Sequence, residues 1–266
     1  MKKLSWLMLG LVFAAAVAPS VRADEWTKTY NIAGRPELHV EASDANVHVD
    51  TWEQNTIDVR VTTSHYKIGE GGIRIEEHQS GDSVSVELRF PHHVTIVGWN
   101  SYRVDVEVHM PRQGKVALKT GDGNIELRNL KGEMELETGD GRQEINGVDG
   151  SLKARSGDGR ITVEGRFDGL RLSTGDGRIE ARALAGSAVA SDWELRTGDG
   201  SVTLALPQDI SADVDLRTSD GHITLDVPVT ISGGTVGEHS VRGKMNGGGN
   251  SLSVHTGDGS IRIEKI

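Results

Sequence analysis

Apolar and polar residues alternate with a period of two through most of this chain, in runs such as Val116-Ala-Leu118-Lys-Thr120 and Ile125-Glu-Leu127-Arg128. Such alternation predicts strands with one buried face. The runs recur because each pair brackets a tetrapeptide. Thr120-Gly-Asp-Gly123, Thr138-Gly-Asp-Gly141, Ser156-Gly-Asp-Gly159 and Thr174-Gly-Asp-Gly177 begin 18 residues apart. Thr197-Gly-Asp-Gly200, Thr218-Ser-Asp-Gly221 and Thr256-Gly-Asp-Gly259 follow at intervals of 23, 21 and 38 residues. The chain is therefore an internal repeat.

Aligning the repeats places Leu118 over Leu136, Ala154, Leu172, Leu195, Leu216 and Val254, and Leu127 over Ile145, Val163, Ala181, Leu204, Leu225 and Ile263. Both columns are apolar throughout. A second turn falls at Gly132, Gly150, Gly169 and Gly186, so each unit reads as a coil of short strands with two or more corners. One coil cannot bury its own apolar side, whereas coils stacked at roughly 4.8 Å share a core and satisfy one another's backbone. The expectation is an all-β fold, a single-stranded parallel β-helix (β-solenoid) with coils of about 18 residues. Its regular part spans residues 116–266, and residues 24–115 form irregular N-terminal coils and a cap within the same domain, 24–266.

In that irregular part, Leu38-His-Val40 and Val47-His-Val49 flank Ser43-Asp-Ala-Asn46 like a worn copy of the unit, and Ser80-Gly-Asp82 has the look of a hairpin turn. Residues 90–103 read as a loop carrying His92, His93, Trp99, Tyr102 and Arg103, either a ligand-contact segment or a plug over the stack. The glycine-rich stretch 232–250 reads as a coil without a tetrapeptide or as a loop, and the last strand needs a cover or stands as an open edge.

The tetrapeptide is turn chemistry. Asp is expected to bond a nearby backbone N–H, and Gly to take a positive φ. The second glycine, present in all seven copies while Ser219 replaces the first once, should hold the more demanding dihedral. The expected turn ladder is Asp122-Gly123, Asp140-Gly141, Asp158-Gly159, Asp176-Gly177, Asp199-Gly200, Asp220-Gly221 and Asp258-Gly259. Stacked carboxylates repel, by roughly 1 kcal/mol a pair in water. Two remedies present themselves: calcium, or the cations beside the turn, Lys119, Arg142, Arg155, Arg160, Arg178, Arg196 and Arg217. Repeat-in-toxin calcium rolls place Gly-Asp turns on both sides, whereas here the opposite corner offers Asp149 and Asp168 alone, which favours the arginines and no metal.

The absence of cysteine removes disulfides and thiol chemistry. Residues 1–23 read as an export signal: Lys2-Lys3, an apolar run from Leu4 to Ala18, then Val21-Arg22-Ala23. The run is too short for the roughly 20 residues of a membrane span, so no stable span is expected after cleavage, and no lipid-bearing cysteine follows. Cleavage removes three of the 29 Lys and Arg and no acid, leaving 26 against 39, a net charge of −13. Such a chain is a poor nucleic-acid ligand. No Gly-x-Ser-x-Gly, His-Glu-x-x-His or phosphate loop occurs, so no catalytic residue and no cofactor is expected.

The repeated Leu-x-Thr-Gly-Asp-Gly-x-Ile-x-Leu, Val47-His-Val49-Asp-Thr-Trp52, the strand ending in Met110-Pro111 and Gly243-Lys-Met-Asn-Gly-Gly-Gly249 together resemble the DUF4097 family of bacterial adhesin-like β-strand repeat proteins. The resemblance implies a non-enzymatic binding or structural module of the cell envelope, periplasmic or secreted, with an envelope protein or polysaccharide as partner. A polysaccharide lyase or hydrolase on a β-helix and a calcium-dependent repeat protein are the alternatives. Nothing in the residues sets an oligomeric state.

Overall fold

The alternating runs are strands in the computed structural model, which describes residues 24–64, 67–91, 103–231 and 236–266; among these no helix occurs. The irregular part contributes β1 (Asp24–Asn31), β2 (Glu37–Ala42), β3 (Asn46–Trp52), β4 (Thr56–Ser64), β5 (Arg74–Ser80), β6 (Ser83–Arg89) and β7 (Arg103–Pro111). The repeats follow as β8 (Gln113–Thr120), β9 (Ile125–Arg128), β10 (Lys131–Thr138), β11 (Gln143–Ser156), β12 (Ile161–Thr174), β13 (Ile179–Ala183), β14 (Trp193–Thr197) and β15 (Val202–Leu206). The last strands are β16 (Ala212–Thr218), β17 (Ile223–Leu225), β18 (Val236–Gly237), β19 (Ser240–Met245), β20 (Ser251–Thr256) and β21 (Ile261–Lys265).

Neighbouring repeats pair in parallel on two walls. On the first, β2, β8, β10, the ends of β11 and β12, and β14 lie side by side. On the second, β3, β9, the beginnings of β11 and β12, β13 and β15 do the same. The register advances by one repeat per step, so Leu118, Leu136, Ala154, Leu172 and Leu195 form one buried column and Leu127, Ile145, Val163, Ala181 and Leu204 another. Each buried aliphatic side chain contributes about 1.5–3 kcal/mol. The worn copy is a full rung, for Leu38 sits over Val116 and Val47 over Ile125.

Two features depart from a uniformly parallel stack. First, the order of the last coils is not the order of the chain. β20 and β21 lie between the β14–β15 coil and the β16–β17 coil, so the final repeat fills a slot that the chain has already passed. Second, both ends of the stack are antiparallel, which makes the sheet mixed. At the N-terminal end β4 joins β7 and β1 joins β4, while the hairpin β5–β6 extends β2. At the other end β19 runs antiparallel to β16 and carries β18. The segment around 232–250 thus supplies a covering hairpin, and the final strand β21 lies inside the sheet, not at its edge.

The N-terminal cap is tied across its width by Glu77 of β5, which accepts hydrogen bonds from Lys28 and from the Tyr30 hydroxyl of β1. Burial, then the charge and hydrogen bond of Glu77, hold the Tyr30 phenol above its ordinary value. Between β13 and β14 the insertion brings Trp193 into the core edge-on to Phe167, with ring centroids 6.4 Å apart.

One rung breaks the apolar rule. Gln143 occupies a column otherwise made of Val47, Ile125, Ile161, Ile179, Val202 and Ile261. Its amide nitrogen donates to the Arg155 carbonyl, but its buried Oε1 has no partner among the described residues. An unsatisfied buried acceptor is costly. Gln143→Ile is therefore expected to stabilise the fold by about 1 kcal/mol, read as a raised denaturation midpoint. A lower midpoint would mean that the glutamine is required at this corner.

Candidate functional site

At the tetrapeptide corner, consecutive coils come so close that backbone meets backbone. A Cβ on the second glycine of any copy would lie between 1.9 Å (Gly123, Gly141, Gly159) and 2.3 Å (Gly221) from a carbonyl oxygen of the adjacent coil. At the first glycine the corresponding distance is 2.6–2.9 Å for Gly139, Gly157, Gly175, Gly198 and Gly257, which fits the one serine found at that position, and only Gly121, which faces Ser43 of the irregular part, comes as close as 2.2 Å. The second glycine is thus the stricter one, but for a different reason from the dihedral. None of the tetrapeptide glycines has a positive φ; that conformation belongs to the opposite corner, at Gly132, Gly150 and Gly186. The requirement at the tetrapeptide is absence of a side chain.

The buried threonine, not the aspartate, makes the cross-coil hydrogen bonds. Thr138 Oγ1 donates to the Gly121 and Gly123 carbonyls at 3.0 Å, and Thr174, Thr197, Thr218 and Thr256 repeat the bond on their own neighbours. Ser156 does so at 3.1 Å to Gly139. Asp122, Asp140, Asp158, Asp176, Asp199, Asp220 and Asp258 are exposed. Among the described residues none of these carboxylates takes part in a hydrogen bond or ion pair, so the expected backbone bond and arginine pairing are absent. Their spatial order also differs from the chain's, because the Gly257 amide bonds to Gly198 and the Ser219 amide to Gly257, placing Asp258 between Asp199 and Asp220.

Arginine does neutralise carboxylates at the opposite corner. Arg166 grips Asp168 with two nitrogens at 2.7 and 2.6 Å and also bonds Asp149. The guanidinium holds Asp168 below the usual carboxylate range, and its own value is raised in return. Among the described residues no group of three or more His, Asp or Glu is placed to hold a metal ion.

Of the loop candidates, His92, His93, Trp99 and Tyr102 lie outside the described residues. Arg103 opens β7, exposed, with its guanidinium 2.9 Å from Asp105.

A different surface emerges from the stacking itself. On the outer face of the first wall, the register sets Glu87, Glu41, Lys119, Glu137, Arg155, Ser173, Arg196, His255 and Arg217 in one row. From Arg155 onward the row contains no acid. The next row sets Lys153 beside Arg171. Small Ser173 leaves a depression between these long side chains, a cleft of about 330 Å³ lined by Lys153, Arg155, Arg171, Ser173, Glu194 and Arg196. Lys153 pairs with Glu135, Arg196 with Glu194, and Arg217 with Asp215 at 2.7 Å. Arg155 and Arg171 have no such partner among the described residues. Burial, chiefly, keeps the His255 imidazole below its ordinary value. In the sequence Arg155, Arg196 and Arg217 appear only as neighbours of the tetrapeptide, because their row depends on which coils adjoin.

Three substitutions separate the roles at the corner. Gly177→Val, whose Cβ would meet the Gly159 carbonyl at 2.1 Å, should lower stability by about 2–4 kcal/mol. Thr174→Val should cost about 1 kcal/mol, and Asp176→Asn should stay within about 0.5 kcal/mol of the parent. Denaturation midpoints read all three, and an aspartate effect as large as the glycine's would return the carboxylate to a structural role. At the opposite corner, Asp168 has a folded value below its unfolded one, so its stabilisation is complete above about pH 4 and is lost as pH falls further. Arg166→Met should therefore lower the melting temperature at pH 7, by a margin that narrows near pH 3. An unchanged margin would mean that packing alone accounts for Arg166.

No curated protein matches the sequence. Among solved structures, a "putative adhesin" from Bacteroides fragilis is 13% identical, covering 91% of this chain and 97% of its own, with TM-score 0.49. A "putative cell adhesion protein" from Clostridium sporogenes is 14% identical, covering 92% and 100%, with TM-score 0.43. A "putative lipid binding protein" from Parabacteroides distasonis is 14% identical, covering 90% and 96%, with TM-score 0.45. The Toastrack DUF4097 family model matches residues 31–264, which is most of the chain, and the protein belongs to that family.

Proposed function

We propose that the protein is an exported, non-enzymatic binding module of the bacterial envelope, periplasmic or secreted, whose long faces engage an envelope polysaccharide or protein. We read its middle part as a single-chain β-helix. The observation that carries the reading is the regularity of the outer rows: each coil places one side chain per row beside the next, across many coils. Stacked repeats of this kind offer extended surfaces to extended partners. General acid–base chemistry needs two carboxylates in contrasting surroundings, and the seven turn aspartates are alike in being exposed.

Export and inactivity are tested together. Expression of the full chain in a bacterial host should yield a protein beginning at Asp24 outside the cytoplasm. Incubated with acidic and neutral polysaccharides, it should release neither reducing ends nor unsaturated sugars, and release of either would overturn the non-enzymatic reading. For the calcium alternative, millimolar calcium should leave the melting temperature nearly unchanged. A folded-state site at a hundredfold excess of ligand would add roughly 2.7 kcal/mol, an easily seen rise.

A further inference from the structure

We infer that the first wall binds a linear acidic polysaccharide, laid along the stack with its carboxylates against Arg155, Arg171 and Arg196. The inference rests on the binding-module reading and names its ligand. In a chain of net charge −10, the row from Arg155 to Arg217 runs five coils without an acid. That is a span of about 19 Å at the strand spacing. Along it, arginine stands at every second coil, at Arg155, Arg196 and Arg217, with Ser173 and His255 between. The guanidiniums therefore repeat about every 10 Å. A ribbon of linked pyranoses in a two-fold twist presents a carboxylate on the same side at every second sugar, so cation and anion spacings run in step.

The cleft adds the second element. Glu194, the acid in the cleft, is held by Arg196, while Arg155 and Arg171 line it with no ion-pair partner among the described residues, and the small Ser173 between them leaves room for a sugar ring and a hydroxyl to bond it. The guanidinium fork fits a carboxylate through two parallel bonds. Other polyanions fit less well. Single-stranded nucleic acid is held by stacking on aromatic rings, and no aromatic residue lines this cleft. A duplex or an anionic bilayer would confront the acidic remainder of the chain, including Glu41 and Glu137 in the same row.

Protein purified from cells expressing the full chain is titrated calorimetrically with polygalacturonate, dextran, duplex DNA and phosphatidylglycerol vesicles. Binding is expected with polygalacturonate and with none of the others. The double variant Arg155→Ser/Arg171→Ser should bind at least about tenfold more weakly, with a shallower salt dependence. Both residues are exposed, so melting should be unchanged. Arg155→Lys/Arg171→Lys should retain an intermediate affinity. Arg182→Ser/Arg262→Ser, the same charge change on the second wall, should bind like the parent. Equal weakening in that control would reduce the effect to net charge and overturn the inference. So would equal binding of DNA or vesicles, or no binding of polygalacturonate. If the protein then held dextran instead, the binding-module reading would stand while the acidic ligand fell.

Discussion

Backbone contact between successive coils at the tetrapeptide corner is the constraint on which the rest depends. The amide of the first glycine in one coil bonds the carbonyl of the first glycine before it, as Gly139 does to Gly121 and Gly157 to Gly139. The threonine hydroxyl beside it reaches the carbonyls of both glycines in the preceding coil, as Thr138 does to Gly121 and Gly123. With a side chain excluded at the second glycine, the coils close to the strand spacing, and every column on both walls inherits that spacing. Apolar columns form inside because the alternation is in phase with it.

The same constraint organises the outer face. Once coils repeat at one spacing and one register, side chains far apart in sequence become neighbours, and the surface acts as rows. Charge along a row can alternate, as from Glu41 through Lys119 to Glu137, or accumulate, as from Arg155 to Arg217. Local pairing within one strand, such as Arg217 with Asp215, tempers the accumulation without erasing it. The turn aspartates stay outside this economy of pairs, exposed and solvated.

The columns and the repeat were legible from residues alone because each is a local property of one unit. Val254 fits beside Leu195 or Leu216 equally well, so the alternation could not reveal that the last coil lies between the two. The demand on the second glycine was visible in its invariance across the copies, but the cause was not, since close approach is a property of the stack and positive φ a property of one residue. Thr138 and its equivalents read as the end of a strand, and their hydrogen bonds go to carbonyls in the adjoining coil. Arg155, Arg196 and Arg217 were conspicuous beside the aspartates, yet they face along the wall and away from the turn. The capping strands β1, β4 and β19 are antiparallel because they close the stack, a role with no repeat signature.

The out-of-order final coil bears on how the chain acquires its shape. Coils through β15 can add one upon another as the polypeptide lengthens, each finding its template already in place. β16 and β17 have no such template, since their parallel partners, β20 and β21, lie later in the chain. Residues 251–265 supply those partners and pair at the same time with β14 and β15 on the other side. The last repeat is the keystone: it holds both flanks at once, so the coil of β16 and β17 depends for its place in the stack on strands that follow it in sequence.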